Sequence, residues 1–459
     1  MSRAERLETK VFLFIIVTGL MNYYVLSKLF RLFGIGRGVG FYTLVALVTI
    51  SYLLGAELLR IFSNGVVKSF NVIFSTWLGV SFNFLWAFAI YDLVNLIIPL
   101  PFEIIGWGIL AAVLILVFYS IYNATTFSVR TIKIESEKLK KSLVIVQLSD
   151  LHIGATHKDD FLEKTIERVN EIRPDFVVLT GDLLDGVHHY EGDEFNCLRK
   201  INCPIFFVLG NHEQFLDMNK VYLLLEKTNM TFLRNRTIVH EGIQIVGIDD
   251  TKDKGLFLRN LDKIIIDNNR FTLLLYHRPN VFKEVAKRDI DLMLAGHTHG
   301  GQMFPLNLLM AIFDGPVEGL HKDNNSILYV SNGTGWWGPP MRLGSRNEIT
   351  VINLVSKYEE KEDYPLIKEI SRTELIKASV EDDSVVNMGE VISLKRGNGA
   401  LNNTQNNSAK IIANGNGKNR KLISKQSRPN RHKNKNPQNS AKPKGKKVGT
   451  QILQKINKK

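Results

Sequence analysis

Four long apolar stretches, residues 11–30, 41–59, 72–98 and 104–122, open the chain. A helix rises about 1.5 Å per residue, so ~20 residues cover a hydrocarbon core of ~30 Å. The pattern therefore predicts four membrane-spanning helices within residues 1–124. Asp92 is the one acidic group well inside a span; it either reaches toward the end of its helix or faces the bundle. Residues 125–142 are polar and charged and are expected to form a linker. From 143 the pattern changes to short apolar runs: 143–148, 176–179, 205–209, 243–248, 271–276, 291–294, 327–330 and 349–354. Between the first two, Phe161, Leu162, Ile166, Val169 and Ile172 recur with a helical period. Strands alternating with helices indicate an α/β domain over 143–356. Beyond it, 357–396 is charged and mixed. Residues 397–459 are rich in Asn, Lys, Gly and Ser, a composition that predicts disorder because it buries too little apolar surface to offset chain entropy.

Charge sharpens this division. The formal charge of +13 is concentrated at the end, since residues 401–459 hold 16 Lys or Arg and no Asp or Glu. The first 400 residues carry 42 basic and 45 acidic groups, which excludes a basic nucleic-acid-binding fold. The tail itself suits anionic lipid headgroups, nonspecific phosphate contacts with RNA, or plain solubilisation. Two cysteines, Cys197 and Cys203, exclude a disulfide framework and a multi-thiolate zinc site. Arg3, Arg6 and Lys10 precede the first span, but no small-x-small cleavage site follows, so that span is expected to be retained. Arg3, Arg6, Lys10, Arg60, Lys68, Arg130, Lys133, Lys138, Lys140 and Lys141 lie on one side of a four-span bundle, against Lys28, Arg31 and Arg37 on the other. That bias predicts a multi-pass protein of the cell membrane with everything after residue 122 in the cytoplasm.

The chemistry sits where the apolar runs stop. The first ends in Asp150-Leu151-His152, the second in Gly181-Asp182 and the third in Gly210-Asn211-His212-Glu213. Later runs end in His277 and in Gly296-His297-Thr298-His299. In open α/β sheets ligands gather beyond the carboxyl ends of strands. Five strand ends thus deliver imidazole and oxygen donors without thiolate, a set suited to Mn²⁺, Fe or Zn²⁺. Seven donors exceed one tetrahedral site and match two metals sharing a carboxylate. Gly181, Gly210 and Gly296 would allow close approach of backbone and metal. His188-His189, on the loop after Asp182, is expected to be solvated.

This constellation resembles the calcineurin-like metallophosphoesterase superfamily, whose blocks Asp-x-His, Gly-Asp, Gly-Asn-His-Glu, His and Gly-His-x-His all stand here between Asp150 and His299. The segment from Asn332-Gly333-Thr334-Gly335 through Pro340-Met341-Arg342 to Glu348-Ile349-Thr350 is similar to the closing motif of a bacterial membrane-associated subgroup. The chain departs from many of that subgroup in having four spans and no Arg-Arg pair, and in this it resembles the four-span transmembrane metallophosphoesterases. The resemblance implies a two-sheet β sandwich flanked by helices, and two divalent metal ions. Asp150, His152, Asp182 and His299 would hold one metal, and Asp182, Asn211, His277 and His297 the other. It further implies hydrolysis of a phosphate ester or pyrophosphate by attack of a metal-bridging hydroxide, with His212 assisting the leaving group. Glu213 or Asp185 would orient imidazoles, and Arg342 would clamp phosphate. A phosphorylated small molecule or a lipid-linked phosphate would be the substrate. The alternative is a membrane-bound scaffold with a non-catalytic phosphoesterase fold and a lipid- or RNA-binding tail. Trp336-Trp337-Gly338-Pro339-Pro340 would dip into a membrane interface, line the pocket mouth or simply pack.

Overall fold

The computed structural model describes residues 3–358 except 63, 155, 158, 159, 187, 191 and 314. The expected charged linker beyond 358 and the expected disordered basic tail lie outside the described residues. Four long helices come first: α1 (Arg3–Leu32), α2 (Val39–Leu59), α3 (Gly65–Asn95) and α4 (Phe102–Thr125). All four are long and apolar enough to cross a membrane. α3 starts earlier than the hydropathy indicated, because Asn64 caps it by accepting from Val67 N at 3.0 Å. Its end falls before Pro99, and α4 starts directly after Pro101. Asp92 faces the bundle, where it pairs with Lys28 and accepts from Tyr24 Oη at 2.5 Å. Met21, Val25, Phe84, Phe88, Val113 and Val117 fill the bundle core.

Two six-stranded sheets follow, with strands numbered in chain order. The first is built from β1 (Phe127–Ser136), β2 (Leu143–Leu148), β3 (Phe176–Leu179), β4 (Ile205–Phe207), β5 (Met230–Phe232) and β12 (Asn347–Ser356), in the order β1-β12-β2-β3-β4-β5. The second contains β6 (Arg236–His240), β7 (Ile243–Gly247), β8 (Thr272–Leu275), β9 (Leu292–Ala295), β10 (Gly319–Asp323) and β11 (Ser326–Val330), in the order β10-β11-β9-β8-β7-β6. Ile145, Val178 and Phe206 of one sheet meet Ile245, Leu273 and Leu294 of the other in a shared core. Helices α5 (Phe161–Ile172) and α6 (Met218–Leu225) cover the first sheet. α7 (Lys254–Leu261) and α8 (Phe282–Val285) cover the second. The short helix α9 (Leu306–Phe313) follows the last site motif.

The segment expected as a linker is largely β1. It pairs parallel with β12 over its whole length, from Phe127↔Asn347 to Ser136↔Ser356. Its charges, Arg130 and Lys133, are exposed, as an edge strand tolerates; Ile132 and Ile134 pack into the core shared by the two sheets. One residue, Thr126, separates α4 from β1, so the domain hangs directly from the bundle. The contacts are specific. Arg342 N donates to Ser120 O at 2.9 Å, Asn347 Nδ2 donates to Ala124 O, and His189 N donates to Leu59 O at 3.0 Å. Met341 and Met303 are buried in the same apolar cluster as the bundle core.

Candidate metal centre

β2, β3 and β4 run parallel, as do β7, β8 and β9. Their carboxyl ends therefore fall along one edge, and the residues that follow them converge there. Asp182 lies at the centre: its Oδ2 is 3.1 Å from His277 Nε2 and 3.8 Å from His152 Nε2. On one side, His299 Nε2 is 3.5 Å and His152 Nε2 4.0 Å from Asp150 Oδ1. On the other, His297 Nδ1 lies 3.2 Å from His277 Nε2. Two groups, Asp150–His152–His299 and Asp182–His277–His297, each bring their donor atoms within 4.8 Å of one another. Asn211 Oδ1 borders the second group through Arg278, whose Nη2 lies 3.0 Å from it and whose Nη1 lies 2.7 Å from His297 Nε2. The structure thus brings together all seven expected ligand positions.

The backbone is bent to do so. Asp150, His152, Asp182, His297 and His299 all adopt the left-handed region, with φ between 45° and 72°, at a cost of about 1–3 kcal/mol each. The glycines between them leave room: a Cβ on Gly210 would fall 2.2 Å from Asp182 Oδ1, and one on Gly296 2.2 Å from Asp150 Oδ2.

The donor set fits cations. Burial holds His152 and His299 well below the usual imidazole range and His297 at about 2, so these rings are neutral. His152 Nε2 and His299 Nε2 face each other at 3.0 Å, and His152 Nδ1 is buried without a hydrogen-bond partner. Burial opposes a charge on His277, yet the carboxylates of Asp182 and Asp150 hold it at about 10. In that arrangement the imidazolium answers a negative centre, a role open to metal ions.

His212 stands beside these two groups and belongs to a third. Its Nδ1 donates to Asp185 O at 2.6 Å, its backbone N donates to Asp182 Oδ1 at 2.8 Å, and its ring packs edge-on against His152 at 4.5 Å. Asp185 meets it through the backbone carbonyl, while the Asp185 carboxyl, pushed up to about 6 by burial, lies with His152 and His212 in a third donor group. Glu213 orients no imidazole. It accepts from the backbone N of Asp182, Leu184 and Gly210 at 3.1, 2.9 and 2.7 Å, tying two strand ends together.

Arg342 departs from the expectation that it would clamp phosphate. It is fully buried, donating to His299 O at 3.0 Å and to Gly335 O at 2.5 Å, with Nη2 3.2 Å from His299 Nδ1. Both its Nη groups are turned to carbonyls behind His299, and it supports that residue instead. Trp336 is packed, stacked on His157 at 3.9 Å between ring centroids, whereas Trp337 is half-exposed and lies 5.9 Å from the His212 ring. His188 is buried and His189 exposed. The sequence reading missed Asp250, which holds Arg278 bidentately at 2.7 and 3.1 Å. Asp249-Asp250 follows β7, so the strand-end rule that found the other donors would have found it.

A family model described as calcineurin-like phosphoesterase matches residues 143–301. The chain is 38% identical over 275 residues to an uncharacterized metallophosphoesterase of Campylobacter jejuni, covering 57% of this chain and 72% of that protein. It is 32% identical to an uncharacterized metallophosphoesterase of Aquifex aeolicus, covering 52% of this chain and 96% of that one. A transmembrane protein with metallophosphoesterase domain from Bos taurus is 33% identical, over 50% of this chain and 57% of its own length.

Proposed function

We propose, since the chain belongs to the calcineurin-like metallophosphoesterase family, that it is a membrane-anchored hydrolase of phosphate esters or pyrophosphates. The observation that carries this reading is the convergence of buried carboxylates and imidazoles, nitrogen facing nitrogen at 3.0 and 3.2 Å, on one edge of the sandwich. Asp150, His152, Asp182 and His299 would hold one divalent cation, and Asp182, Asn211, His277 and His297 a second. Such a pair would supply polarisation of the phosphoryl oxygens and acidify the attacking water. The chain's own groups do the rest. Asp182 ties the two halves of the site together. Arg278, fixed by Asp250, points Nη1 and Nη2 at the second half and would neutralise phosphate charge there.

The oxygen of a water that has given up one proton to solvent forms the new bond to phosphorus, the P–O bond to the leaving group breaks, and His212 gives a proton to the departing oxygen and regains one from solvent. The Asp185 carbonyl can only accept, so Nδ1 of His212 keeps its proton and Nε2 is the nitrogen that delivers one. The imidazolium is therefore the acid. The basic bias of the loops on the domain side favours a cytoplasmic site. The test is turnover of model mono- and diesters by the full chain in detergent or nanodiscs with Mn²⁺, Zn²⁺, Mg²⁺ and Fe²⁺ in turn. Metal-dependent release of phosphate or alcohol is expected, and silence toward both ester types with all four metals would remove the reading.

A further inference from the structure

The edge that carries the metal groups is also the edge that meets the bundle. Trp337, beside His212, is held from both sides: Gln302 Nε2 donates to Trp337 O at 2.8 Å, and Trp337 N donates to Gln302 Oε1 at 3.1 Å. The next residues reach up the helices. A Cβ on Gly338 would lie 3.4 Å from Tyr52 Oη of α2, and one on Gly79 of α3 would lie 2.6 Å from Met341 Sδ. Tyr52 is seven residues from the end of α2, about 10 Å along its axis. The loop 337–341 therefore sits at a depth where α2 is already within its apolar span.

Just outside this loop lies a run of apolar side chains facing outward. Phe304, Leu306, Leu308, Leu309 and Ile312 are all exposed, Ile312 to 73%, and Trp337 to 50%. They belong to α9 and the turn before it, and Met303 of the same turn is buried among bundle residues. The surface is continuous with the membrane-spanning helices. An eight-residue helix so placed has the character of an interfacial element, with an aromatic residue at its margin.

We propose that α9, Phe304 and Trp337 seat in the lipid headgroup and upper acyl layer, so that the metal site opens at the bilayer surface and takes a phosphate ester whose apolar part stays in the membrane. This rests on the phosphoesterase reading and names its substrate class. A phosphate raised from the bilayer passes Trp337 to reach His212, while the alkyl portion remains in the lipid that α9 holds against the mouth. A water-soluble ester of the same headgroup gains nothing from that surface.

The experiment uses the full chain in nanodiscs with a series of alkyl phosphates and alkyl pyrophosphates from two to sixteen carbons, alongside a soluble aryl phosphate. Turnover efficiency should rise tenfold or more with chain length. Leu308→Glu combined with Ile312→Glu should erase that rise and leave aryl phosphate turnover unchanged. Leu308→Cys, in a Cys197→Ser and Cys203→Ser background and carrying an environment-sensitive fluorophore, should be quenched by lipids spin-labelled near the headgroup. Aryl turnover without any chain-length preference, or a probe that stays in water, would overturn the proposal and spare the phosphoesterase reading. Absence of turnover toward every ester with every metal would remove both.

Discussion

At the scale of single residues, Asp182 and His212 are separable by experiment. Asp182 Oδ2 lies between His152 and His277, so Asp182→Asn should lower metal content on both sides of the site and abolish turnover together. Two retained metals with near-normal turnover would show that the carboxylate is not shared. His212 belongs to no expected ligand set and holds its ring through the Asp185 carbonyl. Accordingly, His212→Ala should keep its metals while turnover falls ~10²–10⁴-fold, the range of a general acid; loss of metal would make it a ligand instead. The donors were legible in the sequence because each stands directly after an apolar strand, where local order fixes position. Arg342 was not legible. Its role depends on His299, 43 positions away, and on a burial that no local pattern reports. The left-handed φ of five expected ligand positions was also silent, since Asp and His carry no conformational signature comparable to that of glycine.

Among elements, the alternation that revealed most strands failed for β1. Apolar residues pack on both of its faces, Phe127 and Val129 on one and Ile132 and Ile134 on the other, and exposed Arg130 and Lys133 give it the charge of a linker. Only its partner β12, more than 200 positions later, makes it a strand. α3 was likewise read short because its first turns carry Lys68 and polar residues. These two elements frame a prediction. Gly79 of α3 meets Met341 and Pro339 so closely that a Cβ would fall 2.6 and 3.0 Å from them, and Met341 adjoins Arg342. Gly79→Leu should overpack that contact, displace the loop that supports His299 and reduce turnover by an order of magnitude or more. Metal content should drop with it, while membrane insertion persists. Unchanged turnover and metal content would show that the bundle does not brace the site.

For the whole molecule, the four spans and the α/β domain were each readable, because hydropathy and strand spacing are local signals. Their mutual placement was not, since it rests on a few long-range hydrogen bonds and on Met303 and Met341 entering the bundle core. An even number of spans would return the chain to its starting face, and the Lys/Arg bias predicts a cytoplasmic one. A cytoplasm-only fluorescent reporter appended after Lys459 should therefore light up, and an alkaline phosphatase reporter at the same place should stay inactive. The reverse pattern would put the metal site outside the cell. Changing Arg31 and Arg37 to Glu would then tell whether that loop is the anchor, because a dominant anchor should invert the topology.

β12 starts beside Ala124 at the bundle and runs parallel to β1 for ten residues, about 30 Å at the usual rise of a strand. It leaves the sandwich at the edge opposite the metal ligands. Tyr358, the last described residue, thus stands at the membrane-remote pole of the domain. With ionic screening over ~10 Å at 0.1 M salt, headgroup charge fades before it reaches that pole.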